Sequence, residues 1–384
     1  MIFKISTLAL ACVLLFPNDV HAWAEHHILT RRALSRVPEL KGLTVKVEPF
    51  SACLETLGVR SEAGFNDKLR IHRDFRFELK AGERMGREIP VAELLAVYSD
   101  EPDWKMDTHL FDEGQFPEIW DPAFKMMGGK TGTPSQAFRH MYWKPFDLSQ
   151  PVATFRLPLS RLFRPMGEAP VRAMLFVSMA RQLGQAGHLY WAVRFYANAL
   201  HYVGDVSSPF HSTQTPTKQF VAMPFTSEHG RWFKAYVKQV TNIVSYYHFA
   251  FEDYIGALMK DGGFAGILEE DGPAEYRGSV HQLILDLNES STARSARAGR
   301  ASVAFFPQVT EPFDTFEPKT FMNEAWWEQT RRTGLQHTPV RDEYFAVVRE
   351  MLRDLGRAIR AFSVYELKVI GLISAPKPAP PSGD

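Results

Sequence analysis

The sequence predicts an all-α protein, and three observations carry that prediction. Long windows repeat apolar residues at helical spacing: Val171 to Val206, Glu228 to Leu258, Ser279 to Phe305, and a last stretch from Thr338 to about Lys368. No series of short alternating runs bounded by turn residues is present, so strands are not expected. The composition, 45% hydrophobic and 23% charged, is that of a globular chain without repeats.

The elements follow in chain order. Met1 to Ala22 reads as a secretory signal: Lys4 is the basic flank, Leu8 to Phe16 the short apolar run, and Val20-His21-Ala22 a small-x-small cleavage site. The protein is therefore expected to be exported, to a periplasm or beyond. Trp23 to Val37 carries Ile28, Leu29, Ala33, Leu34 and Val37 at helical spacing. Residues 38–90 are mixed. Ala92 to Tyr98 predicts a short helix, and residues 99–170, rich in Pro, Gly and aromatics, predict long loops with short helices between.

Val171 to Val206 holds few breakers. Glu228 to Leu258 puts Phe233, Val237, Val240, Val244 and Tyr247 on one face. Residues 306–338 place Phe313, Phe316, Phe321, Trp326 and Trp327 in a loop-like setting, as pins that anchor a loop to the core or, alternatively, as a lipid-facing rim or choline-binding wall. The last helix opens with Thr338 as N-cap and Pro339 at its first position. The tail 374–384 is too rich in Pro and small residues to pack.

Charge and cysteine usage narrow the function. Lys plus Arg is 44 and Asp plus Glu is 44, so no net field gathers nucleic acid or anionic membrane. After signal removal Cys53 is the one cysteine left, so no intrachain disulfide is expected. No later stretch is long and apolar enough to span a bilayer.

The chemistry concentrates in ALHYVGDVSSPFH, residues 199–211. His201 and Asp205 stand four apart, so both side chains leave one helix face and can hold one cation. Gly204 leaves room beside them. Pro209 ends the helix and turns His211 back towards the same cluster. His248 and Glu252 repeat the four-residue spacing in YYHFAFEDYI. Imidazole nitrogen with carboxylate oxygen is a zinc-type donor set. EPDWKMD at 101–107 adds Asp103, and FRHMYWKPFD at 138–147 adds His140. Cleavage after Ala22 exposes the α-amine of Trp23, which with its own carbonyl can chelate a metal; His26 and His27 follow closely.

Together these strings resemble the zinc-dependent phospholipase C and single-strand nuclease superfamily, closest to its bacterial phospholipases C. HYVGDVSSPFH resembles the signature His-x3-Asp-x5-His, with Gly before the Asp and Pro two before the last His. HFAFEDYI resembles the later His-x3-acid element, HMYWKPFD the aromatic stretch after a ligand His, and EPDWKMD the upstream Asp element. A mature chain beginning with Trp is a hallmark of the family. The ordered motifs cover roughly residues 23–258.

The resemblance implies a multi-helix bundle with long loops and three zinc ions. Asp103, His140, His201 and Asp205 would hold one. The amine and carbonyl of Trp23 with His26 would hold a second, bridged by Asp205, and His211, His248 and Glu252 a third. His27 stands as an alternative to His26, Asp100 and Asp107 to Asp103, and His229 to His248. Asp103, as proton acceptor near the attacking water, and Asp205, as the bridging carboxylate, would be the catalytic residues. The implied organisation is a phosphodiesterase core over 23–258 and a mainly helical extension, 259–373, packed on it. The implied substrate is a phospholipid such as phosphatidylcholine at a membrane or micelle surface, with no stable nucleic-acid partner. The alternatives are a secreted nuclease for single strands and a metal-stabilised membrane-binding protein without turnover.

Overall fold

Strand is confined to one antiparallel pair among the residues that the computed structural model describes: 25–69, 71, 75–80, 82–104, 106–107, 110, 139–142, 167–213, 233–270, 276–309 and 318–374. β1 (Thr44–Lys46) pairs with β2 (Glu88–Pro90), Val45 facing Ile89. Three residues each are too few for a visible alternation, which is why the sequence predicts no strand here. Everything else regular is helical, and the fold is all-α.

The helices, in chain order, are α1 (His26–Leu34), α2 (Glu62–Leu69), α3 (Val91–Tyr98), α4 (Ala169–Gln185), α5 (Leu189–Ser207), α6 (Pro209–Ser212), α7 (Phe233–Lys260), α8 (Val280–Phe305), α9 (Pro318–Phe321), α10 (Glu324–Leu335) and α11 (Pro339–Val369). Short 3₁₀ turns cover Pro38–Leu40, Phe50–Ala52 and Glu101–Trp104.

Two boundaries differ from the sequence expectation. The helical window 171–206 is two helices, α4 and α5, because Gly187 takes a positive φ of 89° between them. The loop-like stretch 306–338 contains a full helix, α10, opened by the Asn323 side chain accepting the Trp326 amide at 3.2 Å. Its buried stripe is only Trp326 and Thr330, too few positions to show a period. Trp326 is a core pin, its indole N–H bonded to the Tyr246 hydroxyl at 2.8 Å. Phe313 and Phe316 lie outside the described residues.

Other signals translate directly. The Thr338 hydroxyl accepts the Arg341 amide at 3.2 Å and Pro339 opens α11. Ser279 caps α8 in the same way, accepting the Gln282 amide at 3.2 Å.

Helix α5 is the axis of the fold. Every residue from Tyr190 to Ser207 is buried. Its neighbours are α4, α3, α8 and α11, and α11 also lies on α1. One apolar core runs through all of them, from Leu29 and Ala33 of α1 through Phe195 and Val203 of α5 to Leu352, Ile359 and Phe362 of α11. Each such large side chain contributes about 1.5–3 kcal/mol by leaving water. The helix α7 continues across residue 258, and α8 and α11 pack directly against α5. No helix among the described residues is long and apolar enough to cross a membrane. Cys53 is a buried free thiol whose ionisation burial pushes up to about 12.

Candidate metal centre

A helix buried on all sides pays a desolvation cost for every polar side chain that lacks a partner. Along α5 the polar residues Arg194, Asn198, His201 and Asp205 fall on one stripe, and each meets a defined group. Arg194 and Asn198 hold the segment Tyr98–Trp104. His201 and Asp205 face the other motif residues.

His201 donates through Nδ1 to the Ser99 carbonyl at 2.8 Å. A carbonyl only accepts, so Nδ1 carries the proton and Nε2 keeps its lone pair. That Nε2 stands 2.7 Å from His140 Nδ1, 3.2 Å from Asp205 Oδ2 and 3.8 Å from Asp103 Oδ1. His140 Nδ1 is also 2.8 Å from Asp205 Oδ2. The other oxygen of Asp205, Oδ1, faces His26 Nε2 at 3.2 Å. One carboxylate thus addresses two neighbourhoods.

His211 repeats the pattern. Its Nδ1 donates to the His140 carbonyl at 3.0 Å, leaving Nε2 for the cluster. That Nε2 is 2.9 Å from His248 Nε2 and 3.0 Å from Glu252 Oε1. His248 lies 3.0 Å from the same oxygen, its ring stacked on Phe210 at 5.7 Å. The Pro209 turn is short enough for α6 to bring His211 back beside α5.

Among the described residues three donor groups result: His26, Asp103 and His201; His140, His201 and Asp205; His211, His248 and Glu252. The donor atoms within each group lie within 4.8 Å of one another. Each group could hold a metal ion.

The hydrogen-bond account supports that fit. Asp103 Oδ1 and His140 Nε2 are buried and make no hydrogen bond within the protein, whereas His26 Nε2 with Asp205 Oδ1, and Glu252 Oε1 with His211 and His248, meet only other members of the cluster. An unmet buried polar atom costs about 1–3 kcal/mol. Two such atoms in one cluster, both of zinc-ligand type, are what a cation would satisfy.

The electrostatics of the metal-free chain agree at His140 and His201, while nearby carboxylates raise His26 and His211 against the effect of burial. Burial, reinforced by Arg139, pushes His140 well below the ordinary imidazole range. Burial, with His26 beside it, does the same to His201. Both rings are therefore neutral and free to donate lone pairs. Burial raises Asp103 well above the usual carboxylate range, and raises Asp205 although His211 and His26 oppose it. A cation would stabilise both as carboxylates.

The structure separates the sequence alternatives. His26 points into the cluster, whereas His27 turns outward: its backbone N–H and Nδ1 meet the two oxygens of Asp100 at 2.9 and 2.6 Å. The same contact occupies both oxygens of Asp100, which belongs to none of the donor groups. Asp107 is consumed by Arg139, by Arg172 at 2.9 Å and by the Tyr202 hydroxyl at 2.5 Å. Asp103 is the acid of the three whose oxygen lacks a partner. Trp23 and His229 lie outside the described residues.

One set of residues is absent from the sequence reading. Glu101 is fully buried and accepts from Arg194 Nη2 and Nε at 2.5 and 3.1 Å, and from Asn198 Nδ2 at 3.0 Å. Asn198 also donates to the Tyr98 carbonyl at 3.1 Å. The signal was available: two polar residues inside an apolar helix, at seven and three positions before His201.

No protein-family model matches the chain, and comparison with curated proteins finds no match.

Proposed function

We propose that the protein is an exported, zinc-dependent phospholipase C that cleaves phospholipids such as phosphatidylcholine. The observation that carries the reading is the interlocked ligand arrangement: two donor groups share His201, and Asp205 faces His26 with one oxygen and His140 and His201 with the other. The resemblance of the sequence motifs to zinc-dependent phospholipases C supports phosphodiester chemistry and the phospholipid class.

Bound zinc would supply the Lewis acid that makes a water nucleophilic near neutral pH and offsets phosphate charge. His26, Asp103, His140, His201 and Asp205 would hold it on one side, and His211, His248 and Glu252 on the other. Asp103 is the most accessible acid of the cluster, with 13% of its side chain exposed against none for Asp205. It is the group suited to take the proton of the attacking water. The water oxygen bonds to phosphorus, and the bond from phosphorus to the glycerol oxygen breaks. That oxygen takes up a proton and leaves as diacylglycerol. The Ser99 and His140 carbonyls fix His201 and His211 in the tautomers that the site needs.

The test is phosphocholine release from phosphatidylcholine vesicles by processed protein, with and without chelator. Release that chelator stops and zinc restores is expected. Zinc-loaded protein that releases nothing from any phospholipid, but degrades single-stranded DNA, would replace this reading with the nuclease one. Zinc-loaded protein with no turnover on either would leave a metal-stabilised binding protein.

A further inference from the structure

Asp103 sits on a 3₁₀ turn of four residues, Glu101–Trp104, closed by its own amide on the Asp100 carbonyl at 3.1 Å. A turn this short does not hold a side chain in place by itself. Yet Asp103 Oδ1 stands without a hydrogen bond beside His201 and His140. Its position has to come from what grips the segment around it.

That grip comes from α5. Asn198 holds the Tyr98 carbonyl, His201 holds the Ser99 carbonyl, and Arg194 with Asn198 holds the Glu101 carboxylate. The guanidinium of Arg194 lies over the Tyr98 ring at 4.0 Å and the Trp191 ring at 4.6 Å, which fixes its direction. Positions 194, 198, 201 and 205 recur on one helix face, so clamp and metal ligands are set by the same periodicity. A buried ion pair contributes little net stability over a well-packed apolar pair, because both charges lose water. What it adds here is a fixed register for the chain that carries Asp103.

We propose that Glu101, clamped by Arg194 and Asn198, is a positioning residue for Asp103. The donor group of His26, Asp103 and His201 then depends on a buried ion pair whose own oxygens already accept from Arg194 and Asn198. The inference rests on the metal-binding reading above.

Two variants test it by cobalt(II) titration, read by calorimetry and by the visible absorption of the bound ion. Glu101→Gln keeps the shape and removes the charge. The double change Glu101→Leu with Arg194→Met removes both charges and leaves none buried alone. Both are expected to keep the helical circular dichroism of the parent. One class of cobalt sites should weaken roughly 10- to 100-fold with an altered absorption band. The His211, His248 and Glu252 class should be unchanged, and Asp103→Ala should show the same single-class loss. Unaltered cobalt binding in a folded variant, or equal weakening of every class, overturns the proposal. So does failure of both variants to fold, which would make the pair a determinant of the fold instead. Parent protein that takes up no cobalt overturns the metal reading first, and this inference with it.

Discussion

Gly204 and His26 meet with no space between them: a Cβ on residue 204 would stand 2.6 Å from His26 Nδ1. Glycine in the interior of α5 costs about 1 kcal/mol of helix propensity relative to alanine. Gly204→Ala should therefore favour the helix and still push His26 out of line with Asp205. The expected result is a protein that stays folded and loses bound zinc. Elemental analysis after dialysis checks it, and an unchanged zinc content would contradict it.

His26 and His27 are adjacent and face different partners, Asp205 and Asp100. His26→Ala should remove a ligand and lower bound metal. His27→Ala should leave metal content intact, since that ring pairs with Asp100. Equal metal loss in both variants would mean that the entry of α1, not the His26 ring, is what counts.

Asp205 offers each oxygen to a different group of imidazoles. Asp205→Asn preserves the shape and removes the shared charge. Phosphodiester turnover should fall by more than about 100-fold, a larger loss than outer-sphere changes cause. Steady-state rates on phosphatidylcholine micelles measure this, and near-normal rates would show that the cluster is not the reaction centre.

The pair of His211 and Glu252 sets a pH dependence. In the metal-free chain burial works against a charged His211, but the Glu252 and Asp205 carboxylates outweigh it and raise it to about 9. Burial likewise opposes the Glu252 carboxylate, and His248 and His211 overcome it, holding it at about 2. The raised histidine stabilises the fold fully below its unfolded value near 6.5, and that contribution is lost as pH rises through about 9. The depressed glutamate contributes above about 4.5, and that is lost as pH falls through about 2. Metal binding needs neutral His211, so uptake near neutral pH must release its proton. Zinc affinity should keep rising from about pH 6 to about pH 9. Calorimetry in two buffers of different ionisation enthalpy counts that proton; affinity that levels off near the ordinary imidazole range would contradict the pairing.

Local spacing made much of this legible. The pairs His201 with Asp205 and His248 with Glu252 are set by helix geometry alone, and the Thr338-Pro339 start of α11 is a local signal. What stayed open needed tertiary contacts. Asp100, Asp103 and Asp107 look alike in sequence, and only His27, Arg139, Arg172 and Tyr202 tell them apart. The Glu101–Arg194 pair joins residues 93 positions apart, so no window along the chain contains it. Helix α10 was hidden because two buried positions make no period.

The contact between α11 and α1 has a consequence for how the fold closes. α1 carries His26, and α11, which packs on both α1 and α5, follows it about 300 residues later. A contact between helices so far apart in sequence has to meet the entropy of closing a long loop before it is rewarded. Docking of α11 is therefore a slow step of folding, and a chain cut before it would expose the faces of α1 and α5 that it covers.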